Sequence, residues 1–231
     1  MNTTVPNSSR STPEATPGCL HLAPDMIDFI SRHERIVDLG CGGGQTCVDL
    51  ARSGWLHVTG VDRNAWVVAR ARRFAEGAEV APVPEFVVAD VTDLPFPDNS
   101  FTVALMRSVL TTIIGVEDRR RAVREAARVL APGGQLCLVV FAQRQRDDRY
   151  RRLYAEGEEL TGDFGTIAVH DPQTSGAVRC VHHFSEDELA ELLAEAGFDI
   201  DRLHHERSLR RAGTMAVIAV NRKGQTGAAT A

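Results

Sequence analysis

The residues best suited to hold a ligand are the set Asp38-x-Gly40-x-Gly42-x-Gly44 and two later acids, Asp62 and Asp90. The apolar run Ile36 to Leu39 reads as a buried parallel strand. Glycines follow it, and they permit a tight turn and a close backbone approach to a ligand. Gln45 to Arg52 then has helical spacing, with Val48 and Ala51 on one side. Strand, turn and helix together present backbone N–H groups at a helix N-terminus, where an anionic group is favoured. A dinucleotide fold requires G-x-G-x-x-G, whose third glycine falls at position 45. Gln45 stands there, which speaks against a nicotinamide oxidoreductase.

Asp62 closes the run His57 to Val61 at about twenty residues past the turn, the offset of a ribose-binding carboxylate. The competing reading is an N-cap for the helix expected over Asn64 to Phe74. Asp90 stands at the exit of the third strand, in the stretch Glu85 to Val91 that forms the strand and its exit, and its plain alternative is a loop cap. Arg107 and Ser108 follow the fourth run, Phe101 to Met106, at the carboxyl edge of the sheet where ligands sit. Candidate general bases lie further on. His170, His182 and His183 come first, with Asp163 and Glu158 behind them. If the segments 163–170 and 177–184 form a hairpin, His182 and His183 face opposite sides, so one of them at most faces a pocket. A structural role competes at each histidine, and no catalytic residue is assigned. His204 and His205 read as structural residues of the sixth main strand.

The glycine pattern resembles motif I of the class I S-adenosylmethionine (SAM) methyltransferases. Two further segments, Leu94-Pro95-Phe96-Pro97-Asp98-Asn99-Ser100-Phe101 and Arg128-Val129-Leu130-Ala131-Pro132-Gly133-Gly134, resemble the menaquinone/ubiquinone-type small-molecule members. Thr102 departs from the aspartate usual after the first segment. The resemblance runs from about Ile36 to Asn221 and implies SAM as cofactor. It implies a cofactor site of Asp38, Gly40, Cys41, Gly42 and Gly44 around the methionine end, Asp62 and Arg63 by the ribose, and Asp90 and Val91 at the adenine. Asp38 would serve the cofactor's ammonium, directly or through water. Arg107 would touch the methionine end or an anionic substrate, or else lie on the surface. Methyl transfer to nitrogen or oxygen of a small molecule follows as the expected activity. A non-catalytic SAM-binding protein and a methyltransferase of tRNA or protein are the alternatives.

The elements that must position these residues alternate strand and helix up to Phe141, hence a parallel sheet with right-handed crossovers. The expected fold is α/β. It is a Rossmann-like seven-stranded methyltransferase sheet, mostly parallel with an antiparallel last strand, with helices on both faces. A small α+β insertion, residues 143–184, follows strand 5 and is expected to cap the substrate or to serve a dimer contact. A helix is expected over Cys19 to Arg32, and another over Glu117 to Leu130 with Arg119-Arg120-Arg121 on its solvated face. Ser185 to Glu188 reads as a capping box. Residues 19–222 read as one domain, with disordered tails at 1–18 and 223–231.

Composition narrows the partners. The 231-residue chain has a formal net charge of −5, which gives no general affinity for nucleic acid. Lys223 is the only lysine, so the arginine clusters reflect composition as much as phosphate binding. Five cysteines, without metal-ligand spacing, suggest no metal and a cytoplasmic location. No apolar run is long enough to span a membrane. A monomer or homodimer is expected.

Overall fold

The computed structural model describes residues 34–170, 178–206 and 213–223. The expected helix over Cys19 to Arg32, the tail 1–18, residues 224–231 and the hairpin tip 171–176 lie outside the described residues. The main elements are β1 (Arg35–Leu39), α1 (Gln45–Arg52), β2 (His57–Asp62), α2 (Ala65–Glu76), β3 (Glu85–Val88) and β4 (Phe101–Arg107). A short 3-10 turn (Leu110–Thr112), α3 (Val116–Val129) and β5 (Leu130–Phe141) follow. Then come α4 (Asp148–Thr161), β6 (Thr166–His170), β7 (Val178–His182), α5 (Glu186–Glu195), β8 (Phe198–Glu206) and β9 (Thr214–Asn221).

Seven strands form one sheet in the order β3-β2-β1-β4-β5-β9-β8. The first five are parallel, and β9 runs antiparallel to both of its neighbours. The central strands are apolar on both faces because helices cover both. Val37, Leu39, Ala104, Met106 and Leu138 join the core under α3 and α5. Ile36, Leu105, Cys137 and Val139, one step out of phase, join the core under α1 and α2. That alternation puts Asp38 and Arg107 on the α1 face.

Local sequence explains several boundaries. Asn64, not Asp62, caps α2, since its side-chain oxygen accepts from the N–H groups of Trp66 and Val67. The third strand ends at Val88, and in the expected exit segment up to Val91 Asp90 turns the chain through hydrogen bonds from Thr92. Ser185 Oγ accepts from Glu188 N at 3.1 Å, one half of the expected capping box. The Glu188 carboxylate turns instead to His182 and Arg119. The Leu94–Phe101 segment is fastened to α3. Arg128 donates to the carbonyls of Leu94 and Phe96, and Glu125 accepts from Leu94 N.

The expected hairpin is present as a separate two-stranded antiparallel sheet, with Thr166 opposite His182. Tyr150, Tyr154 and Ile167 form a small core between it and α4. Strand β7 lies against the 3-10 turn that leaves β4, so the insertion sits beside the carboxyl edge of the main sheet. The reading of Arg119 to Arg121 as a solvated face is corrected at its first residue. Arg119 is 1% exposed. It lies on the same helical stripe as Ala122, Val123 and Ala126 and finds its charge partner in the insertion.

Candidate active site

The turn after β1 is built on β2. Gly40 N and Cys41 N both donate to Val61 O, at 2.7 and 2.9 Å. Gly40 has φ +76°, and a Cβ there would collide with Val109 Cγ2, so the turn and the exit of β4 interlock. Gly42 has φ +53° with nothing within 4 Å of where a Cβ would stand. It is an open backbone shelf, suited to a ligand laid across it. Gly44 ends the turn as the left-handed N-cap of α1.

Asp62 belongs to this turn although it is twenty residues away. Its Oδ2 accepts from Gly42 N at 3.2 Å and its Oδ1 from Asn64 N at 2.9 Å. Each oxygen keeps acceptor capacity, as a carboxylate has about four lone-pair directions. Asp90 stands next along the edge, tied to it by Ala89 N donating to Asp62 O. Asp90 Oδ1 accepts from Thr92 N and Thr92 Oγ1 at 2.9 and 2.8 Å. Those bonds, the Thr92 N–H first, hold its carboxyl below the usual carboxylate range, and Arg63 adds a favourable charge. Asp90 thus caps a turn with one oxygen and presents the other. Val91 is half-buried against the core.

Asp38 is 1% exposed and faces α1, with Cys47 Sγ 3.7 Å from its Oδ2. Burial pushes its carboxyl up, and the Arg107 charge opposes that most strongly. The same burial, with Asp38 nearby, raises the Cys41 and Cys47 thiols, so neither is a thiolate nucleophile. Arg107 is half-buried and donates to Thr46 Oγ1 in the first turn of α1. Its reading as a surface arginine is therefore set aside. Thr46 and Val109 were missed in the sequence. Ser108, named there only for its place after the fourth run, adopts φ +60°.

The candidate bases fall into two separate environments. His182 is fully buried. Its Nε2 lies 2.8 Å from Glu188 Oε1 and its Nδ1 3.0 Å from Thr166 Oγ1. Arg119 grips Asp163 in a two-pronged pair at 2.6 and 2.8 Å beside it, and Gly115 N also donates to Asp163. Burial by itself would raise the Asp163 carboxyl. The Arg119 fork, the Gly115 N–H and the neighbouring charges outweigh it and hold the group at about 2. Asp163 is a structural counter-ion, not a base. His183 is 3% exposed, among Phe141, Tyr150 and Tyr154, with Nδ1 3.0 Å from Tyr154 Oη. Burial, then the nearby His182, lowers it to about 3, so its imidazole is neutral. As expected, the two neighbours face different surroundings, yet both are enclosed. Glu158 is exposed on α4, and His170 ends β6 with its side chain outside the described residues.

A parallel sheet with its antiparallel closing hairpin, a glycine shelf after β1 and an acid at the end of β2 define a Rossmann-like α/β protein with a ligand crevice at the carboxyl edge of its sheet. A family model described as a methyltransferase domain matches residues 37–138. The crystal structure of a SAM-dependent methyltransferase from Methanosarcina mazei superposes with a TM-score of 0.81 at 31% identity, covering 87% of this chain and 99% of that one. Among curated relatives, 27-O-demethylrifamycin SV methyltransferase of Amycolatopsis mediterranei is 38% identical over 47% of this chain and 39% of its own length. An O-methyltransferase of Aspergillus nomiae is 29% identical over 73% of this chain and 66% of its own. The chain thus spans less than two thirds of either curated relative. It belongs to the SAM-dependent methyltransferases, enzymes whose cofactor is SAM.

Proposed function

We propose that this protein transfers the methyl group of SAM to an oxygen or nitrogen atom of a small molecule, with oxygen favoured. The observation that carries this reading is the bond from Gly42 N to Asp62 Oδ2 at 3.2 Å. It fixes an acid with spare lone pairs against an open glycine shelf, a fit for a ribose lying over the turn. The names of the two curated relatives, both O-methyltransferases, support oxygen as the acceptor atom.

SAM supplies an electrophilic methyl on a sulfonium sulfur. In this reading Asp62 accepts from the ribose hydroxyls, with Arg63 at the rim. Asp90 accepts from the adenine amine through its outer oxygen, and Val91 flanks the ring. Gly40, Cys41, Gly42 and Gly44 offer backbone to the amino-acid end. Asp38 and Arg107 place opposite charges there, matching an ammonium and a carboxylate. The insertion 143–184 covers the acceptor and keeps water out. Positioning the acceptor in line supplies most of the rate. No side-chain base is assigned, because His182 and Asp163 are committed to an ion network and His183 is engaged by Tyr154. An acceptor that binds as an anion or a neutral amine needs none. The free thiols of Cys41, Cys47, Cys137 and Cys180 suit a cytoplasmic setting.

The test is calorimetry with SAM and S-adenosylhomocysteine, followed by incubation with methyl-labelled SAM and a panel of phenols, alcohols and amines. Binding of both nucleosides and label in a small-molecule product are expected. Failure to bind either nucleoside, or label passing only to tRNA, overturns the reading.

A further inference from the structure

Hydrogen-bond counting around His182 fixes how many protons its ring holds. The imidazole is 0% exposed, and both of its nitrogens have oxygen partners. Nε2 lies 2.8 Å from Glu188 Oε1, a carboxylate oxygen that only accepts, so Nε2 carries a hydrogen. Nδ1 lies 3.0 Å from Thr166 Oγ1. The one hydrogen of that hydroxyl goes to Asp163 Oδ2 at 3.3 Å, which leaves Thr166 an acceptor toward the ring. Asp163 Oδ2 is itself 3.6 Å from Nδ1. Nδ1 therefore carries a hydrogen as well, and the ring is an imidazolium. With Arg119, one enclosed cluster holds two cations and two anions. His183, the next residue in the chain, is neutral.

The cluster joins three parts of the chain. Arg119 belongs to α3 and Glu188 to α5, while Asp163, Thr166 and His182 belong to the insertion. Gly115, the residue before α3, also donates its N–H to Asp163 at 3.0 Å. We propose that this cluster is a proton-operated latch. The second proton on His182 fastens the insertion to α3 and α5, and loss of that proton frees it. Without the proton, the Thr166 hydroxyl turns to Nδ1 and Asp163 loses a donor. One negative charge is then enclosed without a counter-charge, which is strongly unfavourable. Lifting the insertion relieves this, because water then reaches both carboxylates. The latched form holds more protons than the released form, so the latch weakens as pH rises. In the reading above the insertion covers the acceptor, so release opens that side of the molecule. The proton coupling itself does not depend on which ligand binds there.

The experiment follows wild type, His182→Gln and Glu188→Gln from about pH 5 to about pH 9, which brackets the histidine range. Ring-nitrogen resonances count the protons on His182. Hydrogen exchange of the β6 and β7 amides, corrected for its intrinsic pH dependence, reports release of the insertion. In wild type the second ring proton and the protection of β6 and β7 are expected to be lost together. Protection falls by at least about tenfold, the scale of one hydrogen bond to a charged group. The amides of β1 and β4 keep their protection. His182→Gln has no such proton, and its β6 and β7 exchange stays level across the range. Glu188→Gln keeps the imidazole but removes one anion, and both transitions move together to lower pH. A ring whose proton count stays constant across the range overturns the proposal. So does protection that does not follow the ring, the wild-type pH dependence persisting in His182→Gln, or unmoved transitions in Glu188→Gln. Loosening of β1 and β4 in step with β6 and β7 overturns it too, since that is global unfolding. If His182→Gln does not fold, the wild-type and Glu188→Gln curves decide.

Discussion

Val109 occupies the space that a side chain on Gly40 would need. The turn after β1 and the exit of β4 are 69 positions apart in the chain, and they close on each other with no room between them. Gly40→Ala meets this contact and a φ of +76° together. Overpacking costs about 1–3 kcal/mol and a left-handed alanine about 1–2 kcal/mol. Denaturant unfolding should show a loss of that summed size. Adding Val109→Ala should return the packing part and leave the backbone part. Equal stability of Gly40→Ala and wild type would mean the turn is looser than its geometry.

Asp62 carries a second prediction. Its carboxylate both orders the turn, through Gly42 N, and in the proposed reading takes the ribose. Asp62→Ala should weaken SAM and S-adenosylhomocysteine by roughly 10- to 100-fold, the scale of hydrogen bonds to a charged group. Asp62→Asn keeps one acceptor oxygen and should fall between. Adenosine should lose affinity in the same proportion, because the ribose is common to all three. Calorimetry showing an intact adenosine affinity would remove the ribose contact and leave Asp62 a turn-former.

How far these residues were readable depends on distance along the chain. The glycine turn, the strand-end Asp62 and the alternation of strands and helices up to Phe141 follow from patterns within about twenty residues, and the structure has all of them. The capping of α2 went to Asn64 because its shorter reach to Trp66 N and Val67 N competes better than Asp62, which Gly42 already engages. Arg119 was misread within a run of three arginines. Helical spacing does put it on the stripe of Ala122, Val123 and Ala126, so a signal was present. Its partner Asp163 lies 44 residues on, inside an insertion, and no local pattern points to it. Ser108 shows nothing in sequence, since a left-handed serine is set by packing on both sides of it.

The Arg119–Asp163 pair ties α3 to the insertion, with side chains 2% and 12% exposed. Removing one member leaves the other charged and enclosed. Glu188 Oε1, 3.4 Å from Arg119, remains as a weaker partner, so Asp163→Asn should destabilise by less than the roughly 3–5 kcal/mol of a fully orphaned buried charge. The pH dependence has a definite sign. The Asp163 carboxyl is held at about 2 against an ordinary 3.8. Its contribution is complete above the ordinary value and is lost as pH falls toward 2. Urea titrations over that range should show wild type losing stability more steeply than Asp163→Asn. Parallel curves would mean that the pair exchanges freely with solvent.

His183 supplies the opposite test of a catalytic histidine. Its imidazole is held at about 3 by burial and by His182, against an ordinary 6.5. The unfolded chain thus takes up a proton that the folded chain refuses. Stability is unaffected above the ordinary value and falls as pH drops from there toward 3, by up to about 1.4 kcal/mol per pH unit. His183→Gln has no such proton to take up, and its stability should change less over the same interval. At neutral pH the variant should be less stable than wild type, through the lost contact with Tyr154 and the ring packing on Phe141. A base tuned for neutral pH would instead titrate near 7. Ring-nitrogen resonances of isotope-labelled protein decide between the two. If the His183 ring titrates near neutrality, the enclosed imidazole is reachable by solvent, and a base role for it returns.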